Sequence, residues 1–121
     1  MTPAVSAHGQ HLLIDLYDAS NLTDIDHIRY ALKQAAEMCG ATVLDINLHS
    51  FGENQGVTGV AMLAESHISI HTWPECQFAA IDIFMCGRCQ PQLAVDYLKN
   101  AFLTESANVT CHSRGARLPQ K

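Results

Sequence analysis

Four stretches of this chain alternate apolar and polar residues with a period of two. Leu12, Ile14 and Leu16 make one apolar row, and Leu44, Ile46 and Leu48 a second. Ile68 and Ile70 make a third, and Ile81, Ile83 and Met85 a fourth. Side chains two apart on a strand share a face, so each row reads as the buried side of a half-exposed strand. Such a chain has to form a sheet with one face against a core. Two segments keep helical spacing and supply the cover. Thr23 to Cys39 places Ile25, Ile28, Leu32 and Ala36 on one side, with Gly40 as a stop and Asn21 and Thr23 as candidate caps. Leu93 to Leu103 places Leu93, Tyr97, Leu98, Ala101 and Phe102 on its core side, with Pro91 near its start.

The strands fall at Leu12 to Tyr17, Thr42 to His49, Val57 to Ala64, His67 to Thr72, Phe78 to Cys86 and Val109 to Ser113. Turns are expected at Gly52 to Gly56 and at Pro74. The element order is then β-α-β-β followed by β-β-α-β. Short links between neighbouring strands favour a mainly antiparallel sheet with two helices on one face, an α/β (α+β) two-layer sandwich. At 121 residues with no linker, residues 1–121 are expected to form a single domain. The tail from Arg114 is polar and expected to be loose.

The opposite parity set holds Asp15 and Tyr17; Asp45, Asn47, His49 and Phe51; His67, Ser69, His71 and Trp73; and Asp82, Phe84 and Cys86. This face mixes aromatics with titratable groups and is too apolar in places to stay bare. The expectation is that it packs sheet to sheet against the same face of a second copy, with sites in the gap.

A net charge of −5, with only seven Lys and Arg, argues against nucleic acid or an anionic membrane as the main partner and suits a cationic small molecule. No apolar run is long enough to cross a bilayer. Met1 to Gln10 has no basic residue ahead of Leu12-Leu13-Ile14, so it does not read as a signal peptide, and a cytoplasmic location is expected. The five cysteines are therefore expected to be thiols. Cys86-Gly87-Arg88-Cys89 has redox or metal spacing, but one such pair alone is a weak signal.

The segment with most chemistry runs Glu65-Ser66-His67-Ile68-Ser69-Ile70-His71-Thr72-Trp73-Pro74-Glu75. A serine hydroxyl can attack the carbonyl of the preceding residue, here Glu65. That acyl shift turns an amide into an ester, and loss of the Ser66 α-hydrogen then cuts the chain by β-elimination. The new dehydroalanine end tautomerises and hydrolyses with loss of ammonia, leaving a pyruvoyl group. The sequence of steps needs a held peptide, an oxyanion donor and a base. His71 is the candidate base and Thr58 a candidate hydroxyl donor. Ser66 and His71 are five apart, so a regular strand points them to opposite faces. A bulge, or Ser66 lying just before the strand, would be needed to bring them together.

Gly56-Val57-Thr58-Gly59-Val60, the segment Ala64 to Glu75, and Ala80-Ile81-Asp82-Ile83-Phe84-Met85-Cys86-Gly87 together resemble the short prokaryotic S-adenosylmethionine decarboxylases. Gly9-Gln10-His11-Leu12-Leu13 and His49-Ser50-Phe51 extend the resemblance to essentially the whole chain. It implies self-cleavage between Glu65 and Ser66, giving a β chain of 1–65 and an α chain of 66–121 that begins with the pyruvoyl cofactor. It implies His71 as the processing base and Cys86 as the acid that protonates the product. It also implies that Phe51 and Trp73 line the substrate pocket and that Glu75 binds ribose hydroxyls. The family often has serine where this chain has Thr58. The implied reaction is decarboxylation of S-adenosylmethionine through a Schiff base on the pyruvoyl ketone, supplying spermidine synthesis. The implied assembly is a homodimer of αβ units.

Three other readings remain, one of them a homologue that never cleaves and only binds a partner. A relative on the same fold would decarboxylate arginine or ornithine, with the pocket changed and the machinery kept. A metal-binding or regulatory module would use His67, His71, Cys86, Cys89, Cys111 and His112.

Overall fold

The computed structural model of the chain describes residues 8–118. Residues 1–7 of the expected leaderless start, and 119–121 of the expected loose tail, lie outside the described residues. The elements in order are β1 (Gly9–Tyr17), α1 (Ile25–Met38), β2 (Val43–Ser50), β3 (Val57–Leu63), β4 (Ser66–Trp73), β5 (Phe78–Cys86), α2 (Leu93–Ala101) and β6 (Ser106–Arg114). One 3-10 turn, Pro74–Cys76, joins β4 to β5.

All six strands form one sheet in the order β2-β3-β4-β5-β1-β6. Every neighbouring pair is antiparallel. The two helices supply Ile28, Ala31, Leu32, Ala35 and Ala36, and Ala94, Leu98 and Phe102, to a single buried cluster. From the sheet come Leu12, Ile14, Leu16, Ile68, Ile70, Ile81, Ile83 and Met85, which are three of the four rows read by parity, with Ile46 and Leu48 of the other partly buried against them. The fold is thus a two-layer α+β sandwich with one dry face. Among the described residues, no helix is long and apolar enough to cross a membrane.

Local chemistry explains the boundaries. α1 starts because the Asp24 carboxylate accepts the His27 backbone N–H at 3.1 Å, so neither Asn21 nor Thr23 is the cap. The helix stops at Gly40, whose φ of 88° suits a residue without a Cβ. Two core assignments differ from the sequence reading. Leu44 is 63% exposed, because the β2–β3 register shifts between Val43 and Asp45 and puts Val43 on the core side. Leu93 is 48% exposed, and Ala94 takes the buried place, in step with Leu98 and Phe102. β1 and β6 also run longer than their apolar rows, because they pair with each other from Gly9↔Arg114 to Tyr17↔Ser106. Arg114, expected in a loose tail, is therefore a strand residue.

Gly59 sits where β2 crowds β3. A Cβ there would lie 2.2 Å from Leu48 Cδ2 and 2.6 Å from the Asn47 carbonyl oxygen. Only glycine fits that contact.

Candidate active site

The residues singled out in the sequence form two groups at opposite ends of β4; His71 and Cys86 face the sheet's open side, and Ser66 has the parity of the core face. The first group is built on the β3–β4 hairpin. Two residues, Ala64 and Glu65, link Leu63 to its partner Ser66. So tight a turn puts Glu65 in the left-handed region at φ 65°, an uncommon place for a residue with a Cβ. β5 ends alongside, and the Cys86 thiol donates to the Glu65 carbonyl oxygen at 3.3 Å. Burial, and then the nearby Glu65 and Cys89, push the Cys86 thiol upward from its ordinary range. It stays protonated at neutral pH, as a proton donor must.

The second group stands at the far end of β4. Thr58 and His71 are register partners across β3 and β4, and Thr58 Oγ1 lies 2.5 Å from His71 Nδ1. The His71 ring is 6.1 Å from Trp73, which stacks on Phe78 at 5.5 Å. Phe51, Thr58, His71, Trp73 and Glu75 together line a cleft of about 360 Å³. Phe51 is 64% exposed and Trp73 41% exposed, so both rings present faces to a ligand.

The structure does not join these groups within one chain. Ser66 is the first residue of β4 and not a residue ahead of it. The β3–β4 register runs from Ser66 to His71 without a shift, and the β4–β5 register does so from His67, so the bulge that would have turned both side chains to one face is not there. Five strand residues span about 16 Å. Cys86 and His71 do share the open face, as parity required, but they too stand at its two ends.

Between the groups lies a cluster that sequence reasoning missed. His11 of β1, His67 of β4 and Asp82 of β5 converge: His11 Nε2 is 2.6 Å and His67 Nε2 3.0 Å from Asp82 Oδ2. The Ser69 hydroxyl donates to Asp82 Oδ1. Burial pushes the Asp82 carboxyl up, but the hydrogen bonds from Ser69, His11 and His67 outweigh it and hold the group below its usual range. The signal in the sequence was the odd parity of His11, which puts it on the same face as Asp82. Reading it required knowing that β1 lies beside β5.

Of the donors in the metal-binding alternative, His67, His71, Cys86, Cys89, Cys111 and His112 are not brought together. Among the described residues, the close group of metal-type donors is His11, His67 and Asp82. Its hydrogen bonds oppose a metal. Arg114 Nη1 lies 3.2 Å from His11 Nδ1, and a guanidinium only donates. Neutral His11 therefore carries its proton on Nε2, the atom a metal would need bare.

The chain is similar over most of its length to several known proteins. Residues 10–115 match the family model for S-adenosylmethionine decarboxylase. An S-adenosylmethionine decarboxylase proenzyme of Fervidobacterium nodosum is 43% identical over 110 residues, covering 88% of this chain and 80% of that protein. Another, from Synechococcus, is 48% identical over 95 residues, covering 76% and 73%. The crystal structure of the adenosylmethionine decarboxylase from Aquifex aeolicus superposes with a TM-score of 0.78 at 34% identity, covering 88% of this chain and 90% of that one.

Proposed function

Because this chain belongs to the S-adenosylmethionine decarboxylase family, we propose that it removes CO₂ from S-adenosylmethionine, using a pyruvoyl group made from its own Ser66. The observation that carries this reading is the contact between the Cys86 thiol and the Glu65 carbonyl oxygen at 3.3 Å. That carbonyl is the one a Ser66 hydroxyl would attack. It is presented on a tight turn with Glu65 at φ 65°, and a hydrogen-bond donor is already on its oxygen. The residues present thus suit formation of the prosthetic group at position 66.

The pyruvoyl group supplies an electron sink for the bond that CO₂ leaves. The chain's residues do the rest. Cys86, held protonated, gives a proton to the product at the α-carbon. Phe51 and Trp73 offer faces to a purine and a sulfonium cation, and Glu75 offers a carboxylate to ribose hydroxyls. His71, oriented by Thr58, takes the proton during self-cleavage.

These roles need both ends of β4 at one site, and one protomer separates them by about 16 Å. A second copy laid sheet to sheet, with its strands running the other way, brings its His71, Thr58, Phe51, Trp73 and Glu75 toward the end of the first copy that carries Cys86 and the Glu65–Ser66 turn. The working form is then a homodimer of αβ units, cut between Glu65 and Ser66. The reading includes a cytoplasmic enzyme whose product serves spermidine synthesis.

Intact-mass spectrometry of the freshly purified chain tests it. The expected result is two polypeptides, 1–65 and 66–121, the second with a blocked keto-acyl end. The Ser66→Ala chain stays whole and inactive. A wild-type chain that stays in one piece on long incubation overturns the reading. CO₂ release from arginine or ornithine, with none from S-adenosylmethionine, overturns the substrate.

A further inference from the structure

We propose that Asp82 is a positioning residue for the reaction at residue 66: backed by His11 and Arg114, it locks the His67 ring and with it the peptide that joins residue 66 to His67. This rests on the reading of Ser66 as the reacting residue.

The argument is the direction of the hydrogen bonds. Arg114 Nη1 donates to His11 Nδ1 at 3.2 Å, which places the His11 proton on Nε2. That proton faces Asp82 Oδ2 at 2.6 Å. An ionised carboxylate only accepts, so His67 Nε2, 3.0 Å from the same oxygen, is also a donor. Ser69 closes the other oxygen. One carboxylate therefore fixes side chains from β1 and β4, with a cation at the end of the line. The His67 ring is also held by Phe84, its register partner, with ring centroids 6.0 Å apart at 32°. Arg114 lies over the same Phe84 ring at 5.9 Å.

His67 is not an arbitrary residue to hold. Its backbone nitrogen is bonded to the carbonyl of residue 66. A ring fixed on two sides limits rotation at His67, and so limits the tilt of that peptide plane. The reaction at residue 66 depends on how its carbonyl groups are aligned. A purely structural polar cluster would alter stability but not the alignment at residue 66.

The test uses the full chain and counts only cleaved molecules. Asp82→Asn keeps the shape but removes the charge and turns one acceptor into a donor that meets a ring N–H or hydroxyl. The expected result is kcat lower by about tenfold or more, with KM within about twofold. An unchanged kcat, or a change confined to KM, overturns the proposal. A second pair guards against misfolding. His11→Gln can still accept from Arg114 and donate to Asp82, whereas His11→Leu can do neither. The glutamine chain should keep kcat within about threefold, and the leucine chain should fall as far as Asp82→Asn. Equal kcat values in the two chains overturn it. A readout without turnover uses ¹⁵N NMR of the uncut Ser66→Ala chain. It should show His11 and His67 as the Nε2–H tautomers, and an Nδ1–H His11 overturns the relay. A wild-type chain that fails to cleave sinks the reading of Ser66, whereas a cleaved Asp82→Asn chain at full speed sinks only this proposal.

Discussion

Ser66 and His71 lie on one strand, five residues apart, on opposite faces of the sheet. Their separation has a direct consequence for mixed dimers. Ser66→Ala lacks the nucleophile but keeps His71, and His71→Ala lacks the base but keeps Ser66. Each alone should remain uncut or cleave at least about a hundredfold more slowly. Co-expressed, they should yield cleaved His71→Ala chains, because the base arrives from the other copy. Intact-mass spectrometry reads which chain is cut. No cleavage in the mixture would mean that the base acts within its own chain, or that the copies pair otherwise.

Cys86 touches the Glu65 carbonyl through a weak S–H donor, so removing the thiol should affect cleavage less than turnover. Cys86→Ala should still cut itself, within about tenfold of the wild-type rate. Its decarboxylation should fall by about 10²-fold or more, the usual scale of a lost general acid. A time course of cleavage and a CO₂-release assay on the same preparation check both. Full turnover by Cys86→Ala would remove the thiol as proton donor.

The Asp82 carboxyl sits below its ordinary range in the folded chain. A depressed carboxyl contributes stability above its unfolded value, near pH 3.9, and loses it as pH falls through the folded value. Wild type should therefore melt higher than Asp82→Asn at neutral pH, and the gap should narrow on acidification below about pH 4. Thermal melts of the two uncut chains, each with Ser66→Ala, across that range are the check. A gap that stays constant would mean the charge contributes nothing to the fold.

Gly59 has no room for a methyl group, since the Asn47 oxygen and the Leu48 side chain already occupy the space. Gly59→Ala should cost about 1–3 kcal/mol and push β2 away from β3. Chemical denaturation reports the cost. β3 also carries Thr58, so the 360 Å³ cleft should distort and KM should rise. A variant as stable as wild type would show that the two strands separate freely.

The parity rows carried most of the fold, because a period of two is a local property of a strand with one dry face. They failed at Leu44, where one irregular residue pair reverses the faces, and at Leu93, where the helix is turned so that the smaller Ala94 packs. The ends of β1 and β6 were illegible, since their polar residues are held by pairing with each other and not by burial. Ser66, His71, Cys86 and the aromatic residues were legible one by one from the motif. That they form two groups was not, because the distance between them depends on an unbroken register. The Asp82 cluster depends on a strand order that brings residues 11, 67 and 82 side by side, and local spacing holds no trace of it.

The strand order also decides what a cut at the β3–β4 turn does to the molecule. Residues 1–65 own β1, β2 and β3, and the remainder owns β4, β5 and β6. In the sheet these are interleaved, with β1 of the first piece clamped between β5 and β6 of the second. The break falls at the very start of β4 and touches only the Leu63–Ser66 end of one ladder. Parting the fragments would mean unzipping β3 from β4 and β1 from both its neighbours, which amounts to unfolding. A chain nicked there would remain a heteromer, and a new end at residue 66 would stay anchored where it was made.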